Sequence, residues 1–204
     1  MTLPRVEAIL LAAGESRRVG YPKPLLEIGG QTFVEHLSKA LLQTVPRVII
    51  VTGAFAERVR RAIPADPRIT VAENPDYRRG QLSSLRVGLR MLSDEADAGM
   101  VHLVDHPAVT VSTFRAIVAE YARVGKPIVI ARYRGKRGHP VIFDRSLFDE
   151  IVQASDSEGA RVVVNRDPDR VRYLDVDDAG VTLDLDTPAD LERAGIALPP
   201  AETK

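Results

Sequence analysis

The chain has 204 residues, 45% of them apolar, enough to bury roughly 70% of its unfolded surface around one core, so a single domain spanning residues 1–204 is expected. Lys plus Arg and Asp plus Glu both count 28, which leaves no electrostatic footprint for nucleic acid or an anionic membrane and points to a small-molecule partner. With no cysteine, disulfides, thiolate zinc sites and a cysteine nucleophile are excluded together.

In chain order, the start Met1-Thr2-Leu3-Pro4-Arg5 lacks the layout of a signal peptide, and the apolar run Ala8 to Ala13 is far shorter than a membrane span, so a cytoplasmic protein is expected. Val6 to Leu11 is nearly continuous in apolar residues, as for a strand covered on both faces of a parallel sheet. A glycine-containing loop, Gly14 to Lys23, follows. Phe33, Leu37, Ala40, Leu41 and Val45 repeat at helical spacing, and Val48 to Val51 reads as the next buried strand. Ile69 to Ala72 reads as a short strand, Leu82, Leu85, Leu89 and Leu92 as one helix face, and Met100 to Val104 as a strand. A helical stripe over Phe114, Ile117, Val118 and Tyr121 precedes a strand at Ile128 to Ala131, and this alternation predicts an α/β layered fold. Shorter extended pieces are expected at Val141 to Phe143 and Val171 to Leu174. Thr187-Pro188-Ala189-Asp190 combines a capping threonine, a proline at the first helical position and an acid at the third, so a last helix starts there. Residues 197–204 read as a frayed tail.

The loop from Gly14 to Lys23 leaves a buried strand and carries Arg17, Arg18, Lys23, Gly14 and Gly20, so backbone N–H groups and cations can face phosphate oxygens. It is neither a Walker loop nor a Gly-x-Gly-x-x-Gly dinucleotide turn. A surface loop with solvated cations would explain its charges but not its two glycines.

The string Leu11 through Lys23 resembles the signature Leu-Ala-Ala-Gly-x-Ser-x-Arg-x-Gly-x-x-Lys of the molybdenum-cofactor-type nucleotidyltransferases. Asn74-Pro75 with Gly80, Ser83, Ser84 and Leu85 is similar to that family's second nucleotide segment, and Val104-Asp105-His106-Pro107 falls where the family has Gly-Asp-Gln-Pro. Gly138-His139-Pro140-Val141, Gly159-Ala160-Arg161 and Asp184 to Leu191 resemble its later segments in the same order. The resemblance covers nearly the whole chain. It implies a three-layer Rossmann-like sheet, mostly parallel with one antiparallel strand, binding nucleotide at the carboxyl ends of its strands. It also implies that Leu11, Ala12, Ala13 and Gly14 line the base and phosphates, that Arg18 and Lys23 hold the triphosphate, and that Asn74, Gly80, Ser83 and Ser84 surround base and sugar. The acceptor side would carry His106, Gly138, His139 and Arg161, and Asp105 would bind metal.

Nucleotidyl transfer depends on positioning and charge stabilisation, which Lys23, Arg18 and a Mg²⁺ ion would supply. Mg²⁺ typically borrows one or two carboxylates plus phosphates. Asp105, just past a strand, and Asp186, just before the capped helix, are the candidates, with Asp184 as the neighbouring decoy. Even without metal their carboxyl groups should stand within about 8 Å of each other. A strand-end aspartate is also a common turn former or helix cap. His102 and His106 straddle a strand end rather than sharing a helix face, so a packed His102 is expected in preference to a zinc site. The basic run Arg132, Arg134, Lys136 and Arg137 reads either as a solvated loop or as a lid over an anionic acceptor.

Ala13 matches the Ala-Ala-Gly form of the signature, which the resemblance associates with cytidine-using members. The reading is therefore CTP:molybdopterin cytidylyl transfer, with another phosphorylated acceptor, such as a sugar phosphate, or a GTP-using reaction as the alternative. The product would pass to a molybdoenzyme or its chaperone. Two rivals read Asp184-Leu185-Asp186-Thr187 as a phosphatase motif, which belongs after a first strand, or as a glycosyltransferase metal motif, which belongs on a middle strand. A third is a non-catalytic nucleotide-binding module.

Overall fold

The computed structural model describes residues 3–199; residues 200–204 of the expected tail lie outside them. The chain forms β1 (Val6–Ala12), a short hairpin of β2 (Glu27–Ile28) and β3 (Gln31–Thr32), α1 (Phe33–Leu42), β4 (Val48–Thr52), α2 (Ala56–Ala62) and β5 (Ile69–Glu73). Then come α3 (Gln81–Arg90), β6 (Ala98–Leu103), α4 (Val111–Val124), β7 (Ile128–Tyr133), β8 (Lys136–Asp144), α5 (Phe148–Gln153), α6 (Arg161–Arg166), β9 (Val171–Asp175) and α7 (Pro188–Arg193).

Seven strands make one sheet in the order β5-β4-β1-β6-β8-β7-β9. β5, β4, β1 and β6 pair in parallel, and so do β7 and β9, while β8 runs antiparallel to both β6 and β7. β1 shows why its sequence is nearly all apolar: every residue is buried, with Val6, Ala8, Leu10 and Ala12 packing into one layer and Ile9 and Leu11 into the other. Phe33, Leu37 and Leu41 of α1 and Phe114 and Ile117 of α4 cover the first face, and Leu82, Leu85 and Leu89 of α3, with Ile151 and Val163, cover the second. The fold is thus three layers of helix, sheet and helix.

β8 is longer than the Val141–Phe143 piece expected, because its first half continues the hairpin with β7. Arg132, Arg134, Lys136 and Arg137 therefore form a hairpin end and not an irregular loop: Arg134 and Gly135 turn the chain at positive φ, and Arg132 on β7 pairs with Asp175 on β9. β6 ends at Leu103, so the expected strand extends through Val104 only in that the Val104 amide still donates to the Leu11 carbonyl at 3.1 Å. The carboxyl ends of β1 and β6 lie side by side, and the loops that leave them face one cleft.

Candidate active site

After β1 the chain turns sharply. Ser16 takes a positive φ of 52°, its carbonyl accepts the amides of Val19 and Gly20 at 3.1 and 3.0 Å, and its Oγ accepts the Lys23 amide at 2.9 Å. That closed loop presses Lys23 inward until the residue is 7% exposed. Its Nζ lies 3.0 Å from Asp105 Oδ2, donates to Asp186 Oδ1 and stands 3.9 Å from Asp184 Oδ1. Arg18 pairs with the other oxygen of Asp186. Arg17, also at the cleft, pairs with Glu15 at 2.6 Å.

The three aspartates meet there for a backbone reason. Asp105 sits in the turn after β6, and its carbonyl accepts the amide of Leu185 at 3.1 Å. Leu185 is fully buried, so in an extended segment its two neighbours, Asp184 and Asp186, share the opposite side and face the cleft. Thr187 then caps α7 reciprocally with Asp190, which fixes where the segment ends.

Burial opposes the charge of Lys23, but the carboxylates of Asp105 and Asp186 outweigh it and hold its pKa above the ordinary 10.5. Burial and then the negative charges of Asp105 and Asp186 push the Asp184 carboxyl up, whereas the Asp186 carboxyl, against its own burial, is held down by hydrogen bonding and attraction to Lys23. Asp105 Oδ1 is buried without a hydrogen-bond partner in the described residues. One oxygen each of Asp105 and Asp184 and one ring nitrogen of His106 all lie within 4.8 Å of one another. These residues fit a hard divalent cation, since an unpartnered buried carboxylate oxygen is the kind of atom such a cation satisfies.

The remaining nucleotide-side residues fall into two groups. Leu11, Ala13, Gly14, Arg18, Lys23, Gly80 and Ser84 line a cleft of about 480 Å³. The carbonyls of Leu11 and Ala13 already accept the amides of Val104 and Ala54. Asn74 and Ser83 stand behind the wall: Asn74, 2% exposed, donates to both Ser83 Oγ and Ser84 Oγ at 2.9 Å and so sets the Ser84 hydroxyl. Ala12 is buried within β1. Gly80 holds the turn into α3 at a φ of +103°, open to glycine and strained for other residues.

His106, Gly138, His139 and Arg161 line a second cavity of about 820 Å³, floored by apolar Leu82, Leu85, Val101 and Val141. Gly138 is required by packing, because a Cβ there would come within 1.9 Å of the Val181 carbonyl oxygen. His102 lies in the core against Phe114, ring centroids 4.9 Å apart, with Nε2 facing the His106 carbonyl at 3.1 Å. Burial, then the neighbouring His139 and His106, keep it far below the ordinary histidine range, and His139 is lowered to about 4 by burial and His106. The two cavities share Leu11, Gln81, Leu103 and Asp184.

Sequence reasoning treated Asp184 as a decoy and passed over Asp156, which accepts from Arg79 and Arg86 on or beside α3 and so ties down the segment that borders the second cavity. The alternation of Asp184 and Asp186 around a buried leucine was a usable signal for the first; no local signal marks Asp156.

Residues 8–171 match the family model of the MobA-like NTP transferase domain. Over 205 residues the chain is 32% identical to a nicotine blue oxidoreductase of Paenarthrobacter nicotinovorans, covering 94% of this chain and 97% of the relative. It is 27% identical over 190 residues to the molybdenum cofactor cytidylyltransferase of Escherichia coli strain K12, covering 93% and 95%. Among solved structures it is similar to Rv0371c of Mycobacterium tuberculosis H37Rv, with a TM-score of 0.81 at 32% identity over 95% of this chain and 98% of that one. A complex of that protein with manganese gives a TM-score of 0.76 at 30% identity, over 93% and 97%. No helix among the described residues is long and apolar enough to cross a membrane. The mostly parallel sheet with its antiparallel β8, the loop that buries Lys23 among three aspartates, and a match over residues 8–171 agree that the chain belongs to the MobA-like NTP transferase domain family and carries its nucleotidyltransferase fold.

Proposed function

We propose that the protein transfers a nucleotidyl group from a nucleoside triphosphate, CTP by preference, to a phosphorylated acceptor, with molybdopterin as the leading candidate, and releases pyrophosphate. The observation that carries this reading is the meeting of two cavities at Asp184, beside Lys23. One cavity is lined by the loop cations, and the other has an apolar floor and a rim that includes Lys136, Arg137 and Arg161. That pairing suits a triphosphate on one side and an anionic, partly apolar acceptor on the other.

In this reading the triphosphate enters the first cleft and draws the Lys23 ammonium and the Arg18 guanidinium from Asp186 onto its oxygens. An acceptor phosphate oxygen in the second cavity attacks the α-phosphorus in line, the bond to the β-phosphate bridge breaks, and pyrophosphate leaves with the electron pair. Lys23 and Arg18 offset the charge that develops on the leaving group. A divalent cation, Mg²⁺ in this reading, would be held by Asp105 with a carboxylate of the Asp184 to Asp186 segment and would supply charge neutralisation at the α-phosphate. Ala13, a residue of the cleft wall in the Ala-Ala-Gly form of the loop, supports the choice of the smaller pyrimidine. The molybdenum cofactor cytidylyltransferase relative supports both the base and the acceptor. A cytoplasmic setting, and delivery of the product to a molybdoenzyme or its chaperone, follow from the same acceptor.

The similarity to a protein named an oxidoreductase favours a second reading, in which the first cleft holds a hydride-donating dinucleotide. One experiment separates them. The protein is incubated with Mg²⁺, molybdopterin and each of the four nucleoside triphosphates in turn, and in parallel with a reduced nicotinamide dinucleotide and an electron-accepting dye, and pyrophosphate, product mass and oxidation of the dinucleotide are read. Pyrophosphate with CTP and a product heavier by one CMP are expected. Turnover with GTP alone would reverse the base assignment, turnover only with another phosphorylated acceptor would replace molybdopterin, and oxidation of a hydride donor without pyrophosphate would favour the second reading.

A further inference from the structure

The carboxylates around Lys23 are not used equally. Lys23 takes Asp105 Oδ2 and Asp186 Oδ1, and Arg18 takes the other oxygen of Asp186, so Asp186 is fully engaged by protein cations. Three neighbouring groups are less engaged: the buried Asp105 Oδ1, which has no hydrogen-bond partner among the described residues, the carboxylate of Asp184, 3.9 Å from Lys23 Nζ, and the imidazole of His106. Three carboxylates face one ammonium and one guanidinium, which leaves the cluster with an excess of negative charge.

His106 is prepared for a ligand's part. The residue is 7% exposed, so its position is fixed by packing, against the His139 ring at 5.5 Å and beneath the 179–182 turn. Its Nδ1 faces the carbonyl oxygen of Gly180 at 3.4 Å. A carbonyl can only accept, so a hydrogen bond here requires the tautomer with its proton on Nδ1 and its lone pair on Nε2, the arrangement found when a metal-bound imidazole is oriented by a backbone oxygen. His106 lines the second cavity and Asp105 the first, while Asp184 belongs to both. The three ligand atoms lie within 4.8 Å of one another, and two ligands of one octahedral ion stand roughly 3 to 4.4 Å apart. A small side-chain rotation closes the difference.

We propose that Asp105, Asp184 and His106 together form a mixed oxygen and nitrogen site for one divalent cation, and that His106 makes the site prefer Mn²⁺ to Mg²⁺. This deepens the metal-dependent reading of the cleft and rests on it. It assigns Asp186 instead to Lys23 and Arg18, as their counter-ion until a triphosphate arrives. The physical basis is ligand type: Mg²⁺ accepts almost only oxygen and sheds water reluctantly, whereas imidazole nitrogen adds affinity for the transition ions. A carboxamide in the same place, as in the Gly-Asp-Gln-Pro pattern, would offer oxygen and no such preference. The crystallised manganese complex of Rv0371c shows that a relative of the same fold takes this ion.

The test uses the full chain without nucleotide, titrated with Mn²⁺ and followed by electron paramagnetic resonance, with Mg²⁺ as competitor. The wild-type protein should bind one Mn²⁺ with at least about 10-fold preference over Mg²⁺, and pulsed spectra should show coupling of the ion to an imidazole nitrogen. His106→Gln should lose that coupling and bring the preference to within about 3-fold, while Asp184→Asn should weaken both ions by at least about 10-fold. Asp186→Asn should leave Mn²⁺ affinity within about 3-fold. No Mn²⁺ binding, or bound Mn²⁺ without nitrogen coupling in the wild-type protein, would overturn the proposal, and neither result depends on a variant that must fold. A bound, nitrogen-coupled Mn²⁺ in a protein that never releases pyrophosphate would leave the site standing and remove the transferase reading alone.

Discussion

The cations of the donor wall come from one short stretch, Leu11 to Lys23, whereas the acceptor wall is gathered from β8, the start of α6 and the turn at 179–182. On the donor wall each cation has a nearby acid: Arg17 on Glu15, Arg18 on Asp186, Lys23 on Asp105 and Asp186. The acceptor wall instead combines an apolar floor with Lys136, Arg137 and Arg161 at its edge and depends on a backbone approach so close that Gly138 admits no Cβ. A local loop can carry a recognisable chemistry by itself. A wall assembled from distant segments depends on the strand order that brings them together.

If that contrast is right, damage to the donor wall should stop the reaction and spare the fold. Lys23→Ala should lower pyrophosphate release by at least about 100-fold, comparable with loss of a strong transition-state donor, with the circular dichroism spectrum unchanged. Normal kinetics in this variant would move the triphosphate site elsewhere. Damage to the acceptor wall should act differently. Gly138→Ala forces the Val181 carbonyl away, and we expect acceptor KM to rise by at least about 10-fold while KM for the nucleotide stays within about 2-fold. If both constants rise together, the walls are not independent.

A smaller effect sharpens the donor side. Ala13→Gly should narrow the preference for CTP over GTP by about 3- to 10-fold in calorimetric titration, because one methyl group is worth about 1 kcal/mol of packing. Equal or reversed affinities in the wild-type protein would defeat the cytidine assignment and leave the reaction class intact. The smallest effect lies outside both walls. Glu120 on α4 joins Arg123 to Arg172 of β9, and hydrogen bonds from Arg123, against some burial, hold its carboxyl down to about 2 from an ordinary 4.5. A depressed folded value means that the stabilisation is present above pH 4.5 and disappears as pH falls towards 2. Glu120→Gln should therefore cost about 0.5 to 1 kcal/mol in urea melts at pH 7 and much less near pH 2, with turnover unchanged.

How legible each region was in the sequence follows the same division. β1, β4 and β6 could be read from buried apolar runs, and α1, α3 and α4 from stripes that the structure buries, since period and burial report one another. α2 gave no stripe, because Val59 alone of its seven residues is buried among three arginines, and α5 and α6 are only six residues long. The two-residue strands of the hairpin before α1 carry no period at all. The resemblance implied one antiparallel strand but not that β8 is that strand or lies between β6 and β7, and no pattern within β8 states which strands flank it. In the cleft, the loop was visible as a string. Its contacts to Asp105 and Asp186, 82 and 163 positions away, depend on the fold, and so does the role of Leu185 in turning both Asp184 and Asp186 towards the cleft.

The account is tested most directly by diffraction from crystals grown with Mn²⁺ and a non-hydrolysable CTP analogue, with data collected at the manganese absorption edge. It predicts a triphosphate lying along the loop from Gly14 to Lys23 and one anomalous peak within about 2.5 Å of an Asp105 oxygen. Nucleotide at any other place on the sheet, or a manganese peak remote from Asp105 with the triphosphate bound, would contradict it.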